Sequence, residues 1–289
     1  MSRKILFVTT MVLAIALFSQ RGVAEDITWP YICFSPLYIC ENDRLTGGYA
    51  HDILSVIWRG MPEDNHVSQM MPIKRMLTFA RQGKHQLFYG LYKTPEREKF
   101  LYYSIPCRIS VPPFIVVRKE DVSGFAKGDT ASLDKLLSNP GLNFLLLKSV
   151  SFGKKIDGIL EKHCENPQIS IEYDTTDMGA KSLKLLTRKR VDYFLSLDGT
   201  VNDAKEMGII DRLAFLHIEE QNKYEVGYIT APRTPWGRKK IQQVNTILRQ
   251  EIPKPYFFKL FTPLVSDTMK DELRRQFNTS VLEPAKTAL

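Results

Sequence analysis

The strongest constraint on the fold of this chain is an alternation of strand-like and helix-like segments that runs through it twice. The first set begins with the strand-like segment DITWPYICF and continues into GYAHDILSVIWRGM, where Ala50, Ile53 and Ile57 recur at helical spacing. An extended segment and a second amphipathic helix ending near Gly83 follow, and the continuously apolar HQLFYGLY has the character of a buried strand. This order of strand, helix, strand, helix and strand is typical of an open α/β sheet.

The same order restarts at residue 112. The segment PPFIVVRKED predicts a strand, and a short helix follows that is capped by Ser132 and ended by the Asn-Pro-Gly sequence at 139–141. Three further strands, NFLLLK, ISIEY and VDYFLS, each preceded by a helix, complete the second set. The chain then continues with the strand YEVGYITA and a helix whose N-cap is Thr234, which indicates a return to the first unit. We therefore expect two lobes, joined by two crossing segments, with a cleft between them.

Residues 1–24 have the pattern of a cleaved signal peptide. Arg3 and Lys4 form a positive start, residues 5–18 are apolar, and small residues end the segment at Ala24. The apolar run is shorter than a membrane-spanning helix requires, and an uncleaved anchor is the alternative interpretation. We expect export to the periplasm, with cleavage near Ala24.

The chain that follows this leader is long enough for two lobes with cores of their own. Hydrophobic residues make up 44% of the sequence and charged residues 25%, which are ordinary values for a globular protein. We predict that residues 25–117 and 224–289 form a discontinuous first lobe and that residues 118–223 form the second.

The charge and the motif content argue against several classes of function. The net charge of +8 includes three basic residues of the leader, and a mild excess of this kind either favours anionic ligands or simply keeps a protein soluble. Nucleic acid is a poor partner for an exported chain. The sequence contains no G-x-S-x-G, H-E-x-x-H, P-loop or G-x-G-x-x-G motif, and its five histidines lack the spacing of metal ligands. We expect a protein that is not an enzyme and that carries neither cofactor nor metal.

Four cysteines, Cys33, Cys40, Cys107 and Cys164, leave the pairing open. No spacing matches a C-x-x-C metal or redox pattern, and an oxidising compartment permits disulfides. A bond between Cys33 and Cys40, which closes a short loop, is the first hypothesis. The other pairings and free buried thiols are the alternatives.

One segment carries a family resemblance. GLYKTPEREKFLYYSIP, residues 90–106, resembles the G-x-x-x-T-x-x-R…F-S-x-P segment of the family 3 extracellular solute-binding proteins. Similar matches in LTGGYAHDIL, RMLTFARQGKHQLFYGL, SVSFGKKIDGIL and RKRVDYFLSLD extend the resemblance over nearly the whole chain after the leader. The combination of KTPEREKFLYYSIP, VDYF and TPWGRKKIQQVN is most similar to a proteobacterial branch of that family.

The resemblance implies the two-lobe type II periplasmic-binding-protein fold, an α/β fold with two open sheets joined by a two-segment hinge. It implies a periplasmic protein that captures a small polar solute, amino-acid-like and carboxylate-bearing, by hinge closure. The expected partners are this small-molecule ligand and the membrane permease of an ABC-type importer, with the binding protein itself a monomer.

The resemblance also implies ligand-binding residues in the first lobe. In the family's amino-acid binders the arginine of the T-x-x-R turn holds the ligand carboxylate, and this position is Arg97. A planar guanidinium matches two carboxylate oxygens, although pairing of Arg97 with a neighbouring glutamate is the alternative. Gly90 and Tyr92 lie where the family has small or hydroxylated residues, and the bulky Tyr92 departs from that pattern and argues against a simple amino-acid ligand. Phe34 and Tyr38 belong to the loop that places aromatic rings over the ligand, with core packing as the alternative for Phe34.

The second lobe contributes three further candidates. Ser149 and Ser151 precede a helix, where free N–H groups suit an anionic group and where ordinary N-capping is the alternative. Asp198 follows the VDYFLS strand and is the nearest candidate for holding a ligand ammonium, whereas Asp192 is better explained as structural.

Two rival functions stay open at this point. A dehydratase-like periplasmic enzyme on the same fold needs an acid or base in the cleft, and Asp198 and Glu172 are the candidates. A protein that senses a ligand, or that interacts with the envelope without a role in transport, is the other.

Overall fold

The computed structural model of the chain describes most of the sequence after the leader. The described residues are 25–42, 44–126, 128–147, 150–166, 169–170, 178–221, 223–265 and 269–287. The predicted signal peptide and the candidate residues Ser149 and Glu172 lie outside these ranges. Within them, no helix is both long enough and apolar enough to cross a lipid bilayer.

Fourteen strands are present in the described residues. They are β1 (Asp26–Tyr31), β2 (Ile39–Glu41), β3 (Arg44–Gly47), β4 (Asn65–Met70), β5 (Phe88–Leu91), β6 (Leu101–Tyr103), β7 (Arg108–Ser110), β8 (Ile115–Arg118), β9 (Thr130–Ala131), β10 (Phe144–Leu145), β11 (Ile169–Ser170), β12 (Tyr193–Leu195), β13 (Leu213–Ile218) and β14 (Glu225–Pro232).

The α-helices separate these strands and close the chain. They are α1 (Tyr49–Arg59), α2 (Ile73–Arg81), α3 (Pro95–Glu98), α4 (Leu133–Leu137), α5 (Lys154–Lys162), α6 (Met178–Thr187), α7 (Thr200–Glu206), α8 (Pro235–Glu251), α9 (Pro255–Lys259), α10 (Lys270–Phe277) and α11 (Glu283–Thr287). Short 3₁₀ helices occupy Lys119–Gly124, Ile210–Arg212 and Thr262–Leu264, and a π-helical turn, Asn278–Leu282, joins α10 to α11.

The first sheet is built from both ends of the chain. β1 pairs in parallel with β4, and a parallel bridge between Thr28 and Gln86 sets β1 beside the start of β5. β14, which follows the second unit in sequence, pairs antiparallel with β5, β6 and β7. The return of the chain expected from the sequence therefore takes the form of a strand inserted into the first sheet.

The second sheet has the strand order β11, β10, β12, β8, β13 and β9. β10 pairs in parallel with β11 and β12, whereas β8 runs antiparallel to both β12 and β13. Residues 115–117 of β8 are fully buried, as are the neighbouring residues of β12, because helices cover the sheet.

The described residues form two large apolar cores, and the chain crosses from one core to the other twice. The first core contains buried residues from Ile27 to Ile109 and again from Ile229 to Ala285, and the second contains residues from Ile115 to Ile218. The chain therefore crosses between Ile109 and Ile115 and returns after Ile218. The lobe boundaries at 117/118 and 223/224 stay predictions, and β8 already belongs to the second sheet.

Local sequence signals account for most of these elements. Thr234 caps α8 by accepting a hydrogen bond from the Gly237 amide at 3.1 Å, and Pro235 occupies the first turn. The sequence reasoning did not anticipate α7, β13 or the β2–β3 hairpin, all of them short or weakly periodic. The expected turn around Arg97 is the single helical turn α3, capped by Thr94.

Candidate functional site

A cavity of about 120 Å³ lies between the two cores. Both lobes contribute to its wall, since β5 and the loop after β1 form one side and the segments around Val150 and Leu197 form the other. The lining residues are mainly apolar and aromatic, with two arginines: Ile32, Phe34, Leu37, Tyr38, Ile73, Phe88, Tyr89, Gly90, Leu91, Tyr92, Arg97, Arg108, Val150, Ser151, Met178 and Leu197.

The lobes touch each other around this cavity. A third apolar cluster joins Met178 of the second lobe to Ile32 and Phe88 of the first, with Val150 and Leu197 packed against it. Near the cavity, Gly199 lies so close to the Ser35 carbonyl that a Cβ atom built on the glycine would be 1.5 Å from that oxygen. The described arrangement is therefore a closed one.

Arg97 lies in the wall of this interlobe cavity and is only 7% exposed. α3 positions it, because the Thr94 hydroxyl accepts a hydrogen bond from the Arg97 amide at 3.2 Å and so starts the helical turn. Its Nη1 donates to the Tyr92 carbonyl at 3.2 Å. Burial lowers the pKa of the Arg97 guanidinium, while the nearby Tyr103 and Asp157 oppose this shift. The guanidinium is thus held in a largely dry crevice, and its role toward a ligand stays a prediction.

A second arginine, Arg108 at the start of β7, also lines the cavity and was not anticipated. Its Nη1 donates to the Gly90 carbonyl at 2.9 Å, and its Nε donates to the Tyr49 hydroxyl at 3.2 Å. The remaining nitrogen, Nη2, forms an ion pair with Asp198. The one available signal was a lone charged residue in the otherwise apolar segment after Ile105-Pro106, next to Cys107.

Asp198 lies behind Arg108 and is not among the lining residues of the cavity. Its side chain is 6% exposed, and its Oδ2 accepts hydrogen bonds from Arg108, from the Tyr49 hydroxyl at 3.0 Å and from the Ser110 hydroxyl at 3.2 Å. The carboxylate therefore joins the second lobe to strand β7 and helix α1. Asp192 has a structural setting, since it bonds Arg118 and the Asn143 amide.

The aromatic candidates surround the arginine pair. The guanidinium carbon of Arg108 lies 5.7 Å from the centre of the Tyr92 ring, a cation–π distance. Burial raises the pKa of Tyr92 to about 12, so its phenol stays neutral. Gly90 has φ of +93°, and a Cβ there would approach Arg108 Nη1 to 3.2 Å, which explains the need for glycine.

Phe34 and Tyr38 pair with each other through both backbone hydrogen bonds, at 2.9 and 2.8 Å. The disulfide between Cys33 and Cys40 is present and encloses this pair. Tyr38 is 2% exposed, and within the described residues its hydroxyl has no hydrogen-bond partner. Both aromatic side chains line the cavity, so the disulfide loop forms one of its walls.

Ser151 lines the cavity and also caps the region before α5. Its hydroxyl donates to Asp157 at 2.5 Å and accepts from the Gly153 amide at 3.3 Å. Ser151 therefore orders the turn before α5, although the N-cap of that helix is Gly153, which has no side-chain cap hydrogen bond, and the role of Ser151 toward a ligand stays a prediction. Burial raises the pKa of Asp157, and hydrogen bonds from Ser151 and the Phe152 amide oppose that shift.

Glu225, at the start of β14 near the hinge, lies close to Gly153, the residue that precedes α5. Its Oε1 lies 2.2 Å from where a Cβ on Gly153 would be and accepts a hydrogen bond from Gln221 at 2.8 Å. Burial raises the pKa of Glu225, and the negative charge of Asp157 adds to this effect. No group of three or more His, Cys, Asp or Glu side chains in the described part of the chain could hold a metal ion.

The chain is similar to known proteins in its structure, whereas no match was found from its sequence. No protein-family model matches the sequence, and no curated protein matches it. A solved substrate-binding protein of an amino acid ABC transporter has a TM-score of 0.63 at 15% identity, covering 83% of this chain and 99% of its own.

Two further solved structures are also similar to this chain. One comes from work on glutathione import via GshT and the cystine ABC importer TcyBC of Streptococcus mutans, with a TM-score of 0.67 at 16% identity, covering 86% of this chain and 99% of that one. The other is a histidine kinase sensor domain with similarity to periplasmic binding proteins, with a TM-score of 0.66 at 12% identity over 84% and 96% of the two chains. At these identities the likeness establishes the fold: the chain has the two-lobe α/β fold of periplasmic binding proteins, as its motif order predicted.

Proposed function

With that fold as the premise, we propose that this chain is a periplasmic solute-binding protein that captures a small carboxylate-bearing solute between its lobes. The observation that carries the proposal is a cavity between the two cores with the buried guanidinium of Arg97 in its wall. The binding proteins and importers among its structural neighbours support the same class of function.

Capture proceeds by hinge closure. The solute binds one lobe first, and closure adds contacts from the other lobe, so the closed state is favoured by its higher affinity for the solute. The two crossing segments serve as the hinge. The interlobe apolar cluster around Met178 and the contact of Gly199 with Ser35 are the contacts that closure completes.

Arg97 supplies the main electrostatic contact in this proposal. Its planar pair of donors suits a carboxylate in a two-point geometry, and the burial of the Arg97 side chain strengthens the attraction by lowering the local dielectric constant. The hydrogen bond from its Nη1 to the Tyr92 carbonyl and the cap at Thr94 orient the guanidinium in advance.

The test begins with mass spectrometry of the small molecules retained by the purified protein. The identified solute is then added back, and it should raise the melting temperature, because a ligand that binds only the folded state stabilises it. Arg97→Ala should abolish this rise, whereas Arg188→Ala, at an exposed arginine of the second lobe, should leave it intact. An equal rise in the Arg97 variant would remove Arg97 from the site.

Location and partners belong to the same proposal. We expect the mature chain to begin after Ala24, to be a monomer, and to deliver its solute to an ABC-type permease. Sequencing the N-terminus of protein recovered from the periplasm tests the export step, since an intact leader would contradict it. Light scattering tests the oligomeric state.

Ligand sensing is the second candidate, and the likeness to a histidine kinase sensor domain favours it. Both candidates require the same cavity, so binding alone does not separate them. Loss of uptake of the identified solute in cells that lack the protein supports transport, whereas unchanged uptake with a changed transcriptional response supports sensing.

A further inference from the structure

The charges around the cavity are unbalanced. Arg97 and Arg108 both line it, and no Asp or Glu among the described residues does. Two carboxylates of the second lobe lie behind the lining residues: Asp198 is paired with Arg108, and Asp157 accepts a hydrogen bond from Ser151. Because the ion pair with Asp198 balances the charge of Arg108, the positive charge that a ligand meets in this cavity comes mainly from Arg97.

Asp198 is already occupied by donors from its own chain. Its Oδ2 receives Arg108, the Tyr49 hydroxyl and the Ser110 hydroxyl, and both members of the ion pair are nearly buried, with side chains 10% and 6% exposed. A carboxylate that accepts three donors on one oxygen, one of them charged, is neutralised locally. Arg108 thus occupies the place next to Asp198 that the ammonium of an amino acid would need.

On the basis of the proposed function, we propose a narrower class of ligand: a small carboxylic acid that lacks an α-ammonium group. An ammonium brought into this cavity would be desolvated beside two guanidinium groups without a carboxylate to pair with, and a buried unpaired charge is strongly unfavourable. A carboxylate has the opposite preference, because a guanidinium such as that of Arg97 is a favourable partner for it.

The remaining lining residues suit a ligand in which the carboxylate is attached to an apolar group. Ile32, Phe88 and Leu197 come from both lobes and line the cavity together with several aromatic rings. The volume of about 120 Å³ favours a compact molecule. An aliphatic or aromatic monocarboxylate fits this combination of charge, polarity and size.

The experiment compares matched pairs of acids with the purified full-length mature protein. Each pair shares one carbon skeleton with and without the α-ammonium: alanine with propionate, leucine with 4-methylpentanoate, and phenylalanine with 3-phenylpropionate. Thermal shift and isothermal titration calorimetry should detect at least one deamino acid, with its amino acid bound about 100-fold more weakly, because the unpaired ammonium is excluded. Tighter binding of the amino acids would overturn the inference and leave the proposed function standing. Absence of binding by every acid of both kinds, with no carboxylate among the retained molecules, would overturn the proposed function itself.

Variants of the Arg108–Asp198 ion pair test whether this pair causes the preference for acids that lack the α-ammonium. Arg108→Gln exposes the Asp198 carboxylate and should admit the amino acid of the best pair, a gain of binding that damage to the fold cannot produce. The double variant Arg108→Gln with Asp198→Asn lacks the carboxylate and should show no such gain. Because Arg108→Gln leaves a buried charge unpaired, Arg108→Lys is included as a milder change that keeps the cation and should keep the preference for the deamino acid. Amino-acid binding that increases equally in all three variants would contradict the assigned role of Arg108.

Discussion

At the residue scale, the unusual feature is a pair of carboxylic acids close together at the rim of the lobe interface. Burial raises the pKa of both Asp157 and Glu225, and the negative charge of Asp157 adds to the rise in the pKa of Glu225. Gln221 and Ser151 donate hydrogen bonds to them and offset part of that effect. Each of these groups therefore releases its proton at a higher pH in the folded protein than in the unfolded chain.

This pair gives a prediction about pH. A carboxyl whose folded-state pKa is raised stabilises the fold most below its usual pKa, and the contribution is lost as the pH rises through the raised value. Glu225→Gln mimics the protonated form, so its stability relative to the wild type should be greater at pH 7.5 than at pH 4. Thermal melts at both values measure this difference. Glu63→Gln, at an exposed glutamate, is the control and should show none. A difference for Glu225→Gln that does not depend on pH would contradict the assignment.

At the element scale, the disulfide loop links covalent structure to the cavity. Cys33 and Cys40 enclose Phe34 and Tyr38, which line the cavity, and the loop leads directly into the β2–β3 hairpin. The Phe34–Tyr38 pairing and the hydrogen bonds that the Tyr49 and Ala50 amides donate to the carbonyls of Pro36 and Leu37 also hold this loop. The disulfide adds a covalent restraint to these contacts.

We predict that Cys33→Ser combined with Cys40→Ser lowers the free energy of unfolding by about 2 to 3 kcal/mol. The reason is that the unfolded chain gains conformational entropy when the bond that closes a loop of this length is removed. The same double variant should bind the identified solute more weakly, because the two aromatic rings lose their fixed position. Denaturant unfolding and calorimetry measure the two effects. Cys164→Ser, at an exposed free cysteine, should match the wild type in both. Equal stability of the double variant and the wild type would show that the loop is held by packing alone.

At the scale of the whole molecule, closure depends on how closely the lobes approach. Gly199 begins α7 with φ of −92°, a conformation that alanine adopts without strain. The Ser35 carbonyl of the other lobe is what a methyl group there would meet, at 1.5 Å. The glycine is therefore required by the interlobe contact and not by its own backbone.

Gly199→Ala should hold the lobes apart and weaken solute binding by about tenfold or more, since each 1.4 kcal/mol added to closure is a factor of ten in affinity. The melting temperature without solute should change little, because neither core is altered. Titration calorimetry and small-angle X-ray scattering with added solute measure affinity and closure. Gly124→Ala, where a Cβ would enter open space in the second lobe, is the control. Full closure and normal affinity in the Gly199 variant would exclude this contact as part of the closed state.

Much of the architecture was predictable because it follows from local patterns. The helical spacing of Ala50, Ile53 and Ile57 and the cap at Thr234 depend on neighbours within one or two turns, and α1 and α8 form where they indicated. The disulfide was the first hypothesis because of its short loop, and it is present. The order of motifs predicted a two-lobe fold, which the structural neighbours confirm.

The partners of the buried charged side chains could not be predicted from the sequence alone. Arg108 and Asp198 are 90 residues apart, and Tyr49 is 149 residues from Asp198. The sequence by itself determined where the longer, strongly periodic strands and helices form and that a guanidinium at position 97 follows a buried strand, because hydrophobic period and capping are local. Only the tertiary structure decided that Asp198 is neutralised by Arg108 and lies behind the cavity wall, because the surroundings of a buried charge depend on elements that meet only when the two lobes pack together.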